Sequence, residues 1–209
     1  MKFKIRGKVI GMGLVPVVIL GAVIMYFSHW KISNVITDEL ENALRATALS
    51  VRDMLTYSVE GDYGLNENGD FIKGSFNITQ NESIADNISA ETGIEVTVFY
   101  GDTRYMTSVK DDAGKRVLGT KAASEVVEKV LKNGETYFAD HVDVAGTPFF
   151  AYYVPLYANA GAGGEAAGMV FAGISQERMD TNVRSSTLAT LSIILIVSVI
   201  AGVTVVLVV

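Results

Sequence analysis

The sequence predicts an α+β domain, built on one antiparallel sheet of about five strands behind a long first helix and held between two membrane-spanning helices. Three observations carry this. Val9 to Ser28 and Ser185 to Val209 contain no Asp, Glu, Lys or Arg, and each reaches the roughly 20 residues that a helix needs to cross a bilayer. Apolar residues between Ile32 and Leu55 recur every three or four positions. From Glu95 onward the period changes to two, with Gly-rich turns between the runs.

Composition narrows the classes further. The 209 residues include no Cys, which excludes a disulfide framework, thiolate zinc, iron-sulfur clusters and a Cys nucleophile. The mean hydropathy of +0.32 is high for a soluble domain. Four of the 17 bases, Lys2, Lys4, Arg6 and Lys8, precede the first apolar run, leaving 13 against all 23 acids between the runs, a net of −10. So acidic a segment is a poor nucleic-acid surface. The basic tail 1–8 holds the N-terminus in the cytoplasm and places the middle segment outside it. A cleaved signal peptide is the competing reading, but the run is long and Tyr26 to Trp30 offers no small-x-small cleavage site. The expected order is a cytoplasmic tail 1–8, a span 9–28, an extracytoplasmic domain 29–186 and a second span 187–209. The last runs uncharged to Val209 with no basic flank, so a cytoplasmic output region is expected to be missing from the sequence, a natural tail anchor being the alternative.

Within the middle segment, Ile32, Ile36, Leu40, Leu44, Ala48, Val51 and Leu55 form one stripe, with no Gly or Pro before Gly61. This predicts a helix from Trp30 to about Val59, its stripe serving as core or also as a dimer seam. Gly61 to Gly74 reads as a polar loop, and Gln80 to Glu91 as a short amphipathic helix through Ile84 and Ile88. Val96, Val98 and Tyr100 then alternate with Thr97 and Phe99, Gly101-Asp102-Thr103 turns, and Arg104 to Val109 returns. Thr120 is placed to cap a helix over Ala122 to Leu131, closed at Asn133-Gly134. Thr136 to Val144, Thr147 to Tyr157 and Ala166 to Ile174 complete the strands, joined by Ala145-Gly146 and by Gly161 to Gly164.

Motifs of catalysis are missing. No Gly-x-Ser-x-Gly elbow and no His-Glu-x-x-His pair occurs, and no Lys-Ser or Lys-Thr follows the glycines at 161–164. His29 and His141 build no catalytic group, and Asn66, Asn68 and Asp70 lack calcium-loop spacing. The expectation is a protein that is not an enzyme and carries no cofactor or metal. The strands are instead rich in aromatics, and neighbours such as Tyr152 and Tyr153 must face opposite sides of the sheet. One face packs on the long helix, and the other is free to form a small-ligand pocket, with ordinary sheet packing as the alternative use of most of these rings. Arg104, at a strand start after a turn, suits two-pronged binding of a carboxylate; the alternative is a surface pair with Asp102 or Glu95.

The runs DTRYMTSVKDDAGKRVLGTKA, VLKNGETYF, AGTPFFAYYVPLY and GEAAGMVFAGIS resemble the single Cache sensor domains of bacterial membrane receptors, above all methyl-accepting chemotaxis receptors of Firmicutes. The resemblance covers roughly Glu91 to Ser175. It implies an extracytoplasmic PAS-like sheet that binds a small metabolite, commonly a short carboxylate, and signals through the second span as a homodimer in the cell membrane. By position it implies a pocket of Phe99, Arg104, Ser108, Lys121, Tyr137 and Tyr152. Cytoplasmic signalling proteins would be reached only through the missing output region. No HAMP-like or coiled-coil sequence follows the second span, so a histidine kinase or diguanylate cyclase receptor fits as well, and a ligand-free membrane scaffold is the remaining alternative.

Overall fold

The structure is a computed structural model that describes residues 38–157 and 166–179, with Ile19, Ser192, Ile193, Ile196 and Val197. Both predicted spans otherwise lie outside the described residues, as does the 161–164 link. Among the described residues no helix is long and apolar enough to cross a membrane. The chain divides into two units, Glu39–Arg178 and a second made of Met1–Asp38 with Met179–Val209. In the second unit Ile19, Ile193, Ile196 and Val197 are helical and each more than half exposed.

In the first unit, helix α1 spans residues 38–57, and its predicted stripe is its buried face: Leu44, Ala48, Val51 and Leu55 are each at most 2% exposed. The segment predicted as a loop is a small antiparallel sheet of its own, β1 (Tyr63–Leu65), β2 (Phe71–Lys73) and β3 (Phe76–Asn77), in the order β1-β2-β3. Its strands are too short for a period of two to register. Two side chains hold it in place. Phe71 is fully buried against the rings of Tyr63, Tyr100 and Tyr105 at 5.7, 5.0 and 5.9 Å. The Lys73 ammonium donates to the carbonyls of Leu55 and Thr56 at 2.7 and 2.8 Å, which satisfies two of the orphan acceptors that end α1. Asp70, one of the calcium candidates, is taken up within the loop. Its Oδ2 accepts from the side-chain amides of Asn66, Asn77 and Gln80, and these hydrogen bonds, Asn77 first, hold its pKa below the usual carboxylate value.

Helix α2 (Glu82–Thr92) ends at Gly93, whose φ of 75° suits a residue without a side chain. The main sheet follows: β4 (Glu95–Tyr100), β5 (Thr103–Thr107), β6 (Tyr137–Val144), β7 (Thr147–Tyr157) and β8 (Ala166–Ser175), all neighbours antiparallel in the order β5-β4-β8-β7-β6. This is the predicted five-stranded antiparallel sheet. The helix before β6 begins later than predicted. Its N-cap is Ala123, α3 covers Ser124–Val126, and it continues as a π-helical segment, Val127–Lys132. Thr120 is drawn away from capping because its hydroxyl accepts a bond from Arg104 at 2.7 Å.

Two buried clusters divide the sheet's residues between its faces. Val96, Val98, Met106, Tyr152, Val154, Leu156, Val170 and Ala172 pack in one cluster with α1, α2 and the small sheet. Phe99, Ala151, Tyr153, Met169 and Phe171 pack in the other with Val126 and Val130 of the helical segment.

Candidate ligand-binding site

The second face is where polar groups are buried without obvious structural duty. One cross-strand row traverses it: Thr107 faces Thr97, Thr97 faces Phe171, Phe171 faces Tyr153, and Tyr153 faces Tyr137. The two threonines are fully buried with their hydroxyls 2.6 Å apart. Phe171 and Tyr153 meet edge to face at 5.3 Å. In the adjoining row Phe99 pairs with Arg104 across β4 and β5.

Arg104 stands out chemically. It is 5% exposed, and among the described residues no carboxylate lies within salt-bridge distance of it. The surface alternative does not form, since Asp102 pairs with Lys121 at 2.8 Å and Glu95 accepts from Ser89 at 3.0 Å. Its Nη1 donates to Thr120 Oγ1 at 2.7 Å and weakly to Val117 O at 3.4 Å, its guanidinium stands 5.1 Å from the Phe99 ring centre, and its buried Nε has no hydrogen-bond partner. Burial lowers its pKa, with the nearby Tyr153 phenol acting in the opposite sense. A guanidinium nevertheless stays protonated in proteins. The Tyr153 phenol is pushed far above its ordinary value by burial, an effect that the Arg104 charge opposes. A buried cation without a counter-ion is costly, and a donor without an acceptor adds to that cost. The arrangement is poised for an anion that accepts from Arg104 beside a neutral phenol.

The residues that the family resemblance implies are only partly brought together. Phe99 and Arg104 are together on this face, and Tyr137 lies in the same cluster, half-buried, with its hydroxyl donating to Glu125 at 2.9 Å and Lys129 Nζ 3.8 Å from its ring centre. Ser108 works on the backbone instead: its Oγ accepts from Val96 N at 2.9 Å. Lys121 is mostly exposed in its pair with Asp102. Tyr152 lies on the opposite face, its hydroxyl donating to Thr136 at 3.1 Å. Tyr153 and Thr120 were not anticipated. Alternation required one of Tyr152 and Tyr153 to share the face of Phe99, and the choice rests on the register of β7 on β8 and of β8 on β4, which sets Tyr153 beside Phe171 and Phe171 beside Thr97.

Above the site runs a strap, residues 116–122, alongside the edge strand β5. Arg104 N donates to Thr120 O, Gly119 N to Arg104 O and Ala122 N to Asp102 O, at 2.9 to 3.0 Å. Gly119 sits at φ 71°, which lets the strap bend between these bonds. A different concavity, an open groove of about 380 Å³, is lined by Ala46, Thr47, Ser50, Val51, Met54 and Ile88. Its hydroxyls are spent on carbonyls of their own helix, so it offers no polar anchor. Among the described residues no cluster of three or more His, Cys, Asp or Glu is placed to hold a metal ion.

The family model described as single cache domain 3 matches residues 76–186, more than half of the chain. The chain belongs to the single Cache domain 3 family. The match takes in α2, the whole five-stranded sheet and the strap, and a Cache domain is a small-molecule-sensing module. No curated protein matches the chain.

Proposed function

We propose that this Cache domain senses a small anionic metabolite, a short-chain carboxylate, from outside the cytoplasm as part of a membrane receptor. The observation that carries the reading is Arg104, buried, paired with no carboxylate among the described residues and with Nε unsatisfied. A carboxylate supplies both the missing charge and the missing acceptor. Phe99, Phe171 and Tyr153 form the apolar wall expected of such a site. The protein binds its ligand without chemical turnover.

The receptor is a two-pass protein of the cell membrane with its N-terminus in the cytoplasm. The charge-free runs and the basic tail support this, as do the exposed isoleucines of the second unit. Two copies pair along α1, and the open groove beside it supports that pairing. Signal leaves through β8 toward the second span, to a chemotaxis-type output. A histidine kinase or cyclase output would use the same input.

The test is a thermal-shift screen of the intact chain in detergent with formate, acetate, propionate, lactate and pyruvate, alongside Arg104→Ala. At about 100 times its dissociation constant a ligand adds roughly 2.7 kcal/mol. The reading requires a carboxylate that stabilises the wild type and leaves Arg104→Ala unmoved. Equal stabilisation of both proteins places the ligand elsewhere.

A further inference from the structure

Helix α2 is tied at each end by an arginine from another part of the domain. At its N-terminal end Arg116 reaches two acidic side chains one turn apart. Its Nε pairs with Glu82 at 2.8 Å, its two Nη atoms fork onto the Asp86 carboxylate, and Nη1 also donates to Thr107 O at 2.6 Å. Such a bidentate fork is rigid as well as strong. The next residue, Val117, packs with Phe99 in the other cluster, and its carbonyl accepts from Arg104. The strap therefore turns around the β5 edge of the sheet, with one residue touching the ligand-site cluster and its neighbour gripping α2.

At the other end of α2, the carbonyl of Gly93 accepts from Arg178 Nη1 at 3.2 Å. The guanidinium lies so close that a Cβ at residue 93 would meet Arg178 Cζ at 3.1 Å. A cation there also faces the negative end of the helix dipole. Arg178 stands three residues beyond β8, in the helical residues 176–179 through which the chain leaves the sheet. That helical segment is fixed on its other side by Gln176, whose side chain donates to Asp140 O of β6 at 2.8 Å.

We propose that α2 is a connecting rod between the ligand site and the exit of the chain, with Arg116 and Arg178 as its two positioning residues. The 11 residues of α2 span about 16 Å and shift as one body, because a packed helix is stiffer than the segments at its ends. An anion that draws Arg104 off Val117 O moves the strap at the residue next to Arg116, and the fork passes that movement to α2 and on to Arg178. The signalling meaning rests on the sensor reading above, whereas the coupling is a property of the chain without ligand.

Hydrogen exchange on the intact chain in lipid nanodiscs, with no ligand added, tests this in the wild type, Arg116→Ala and Arg178→Ala. Lys132→Ala, which removes a surface pair with Glu128, serves as a control. Coupling is reciprocal, so Arg116→Ala speeds exchange of the amides at 176–178 about threefold or more, and Arg178→Ala does the same at 115–121. Lys132→Ala changes neither, and Arg116→Lys, which keeps charge without the fork, recovers only part of the protection. If Arg116→Ala does not fold, the Glu82→Gln, Asp86→Asn pair removes the same fork from the helix side, with the same distant effect expected. Exchange that rises only beside each substitution overturns the proposal, as does an equal distant effect of Lys132→Ala. A failure of the sensor reading shows separately, as the absence of any carboxylate shift in the melting screen.

Discussion

Single side chains in this domain do work that their residue type alone did not announce. Arg104 and Lys73 are both buried cations, yet their surroundings give them opposite uses. Lys73 is 4% exposed and satisfied by two helix carbonyls, so it is structural. Its replacement by Met is expected to cost about 1–3 kcal/mol, the range for charged hydrogen bonds lost from a buried site, read as a lower midpoint in chemical denaturation. Arg104 lacks that satisfaction at Nε, and Arg104→Met is expected to leave stability within about 1 kcal/mol of the wild type or raise it, because a lone buried charge is removed. The same denaturation measurement compares the two. Arg104 was legible in the sequence because a lone cation at a strand start is conspicuous. Tyr153 was not, since Tyr152 and Tyr153 are equivalent until the pairing of β7 with β8, and of β8 with β4, decides which one shares the face of Phe99.

At the scale of elements, long periodic segments were readable and short ones were not. The α1 stripe and the β4, β7 and β8 runs needed only their periods, and the Ala145-Gly146 turn forms with both residues at positive φ, 54° and 86°. The small sheet of β1 to β3 escaped because strands of two or three residues carry no period and are held by Phe71 and Lys73 from outside. Its integration predicts that Phe71→Ala costs about 3–5 kcal/mol, as for other buried Phe truncations, whereas a mere surface loop would tolerate it; urea unfolding distinguishes the two. The attachment of α2 carries a pH dependence. The hydrogen bonds from Arg116 hold the Asp86 carboxyl below its ordinary 3.8. A lowered folded-state pKa gives stability that is complete above the unfolded value and is lost as pH falls through the folded one. The melting-temperature gap between wild type and Asp86→Asn is therefore expected to be constant near neutral pH and to narrow below about pH 4. A gap that widens on acidification contradicts the ion-pair account.

Taken as a whole, the sheet separates two tasks. One face packs under α1, α2 and the small sheet. The other mixes rings with a cation, a phenol and two hydroxyls, a composition that a purely structural face would avoid, because every buried polar group must find a partner. The strap and α2 connect the faces around the β5 edge through Arg116. The five-stranded antiparallel sheet followed from period and turn signals, while the register that gathers Phe99, Arg104 and Tyr153 on one face required the tertiary pairing of five strands. The central claim is that Arg104 Nε is an open donor for a carboxylate. Its most direct measurement is the ¹H–¹⁵N spectrum of arginine Nε groups in the intact chain, titrated with the carboxylate that stabilises it most. The account predicts that one Nε resonance, missing in Arg104→Lys, moves downfield in step with saturation. A carboxylate that raises the melting temperature while that resonance stays in place would contradict it.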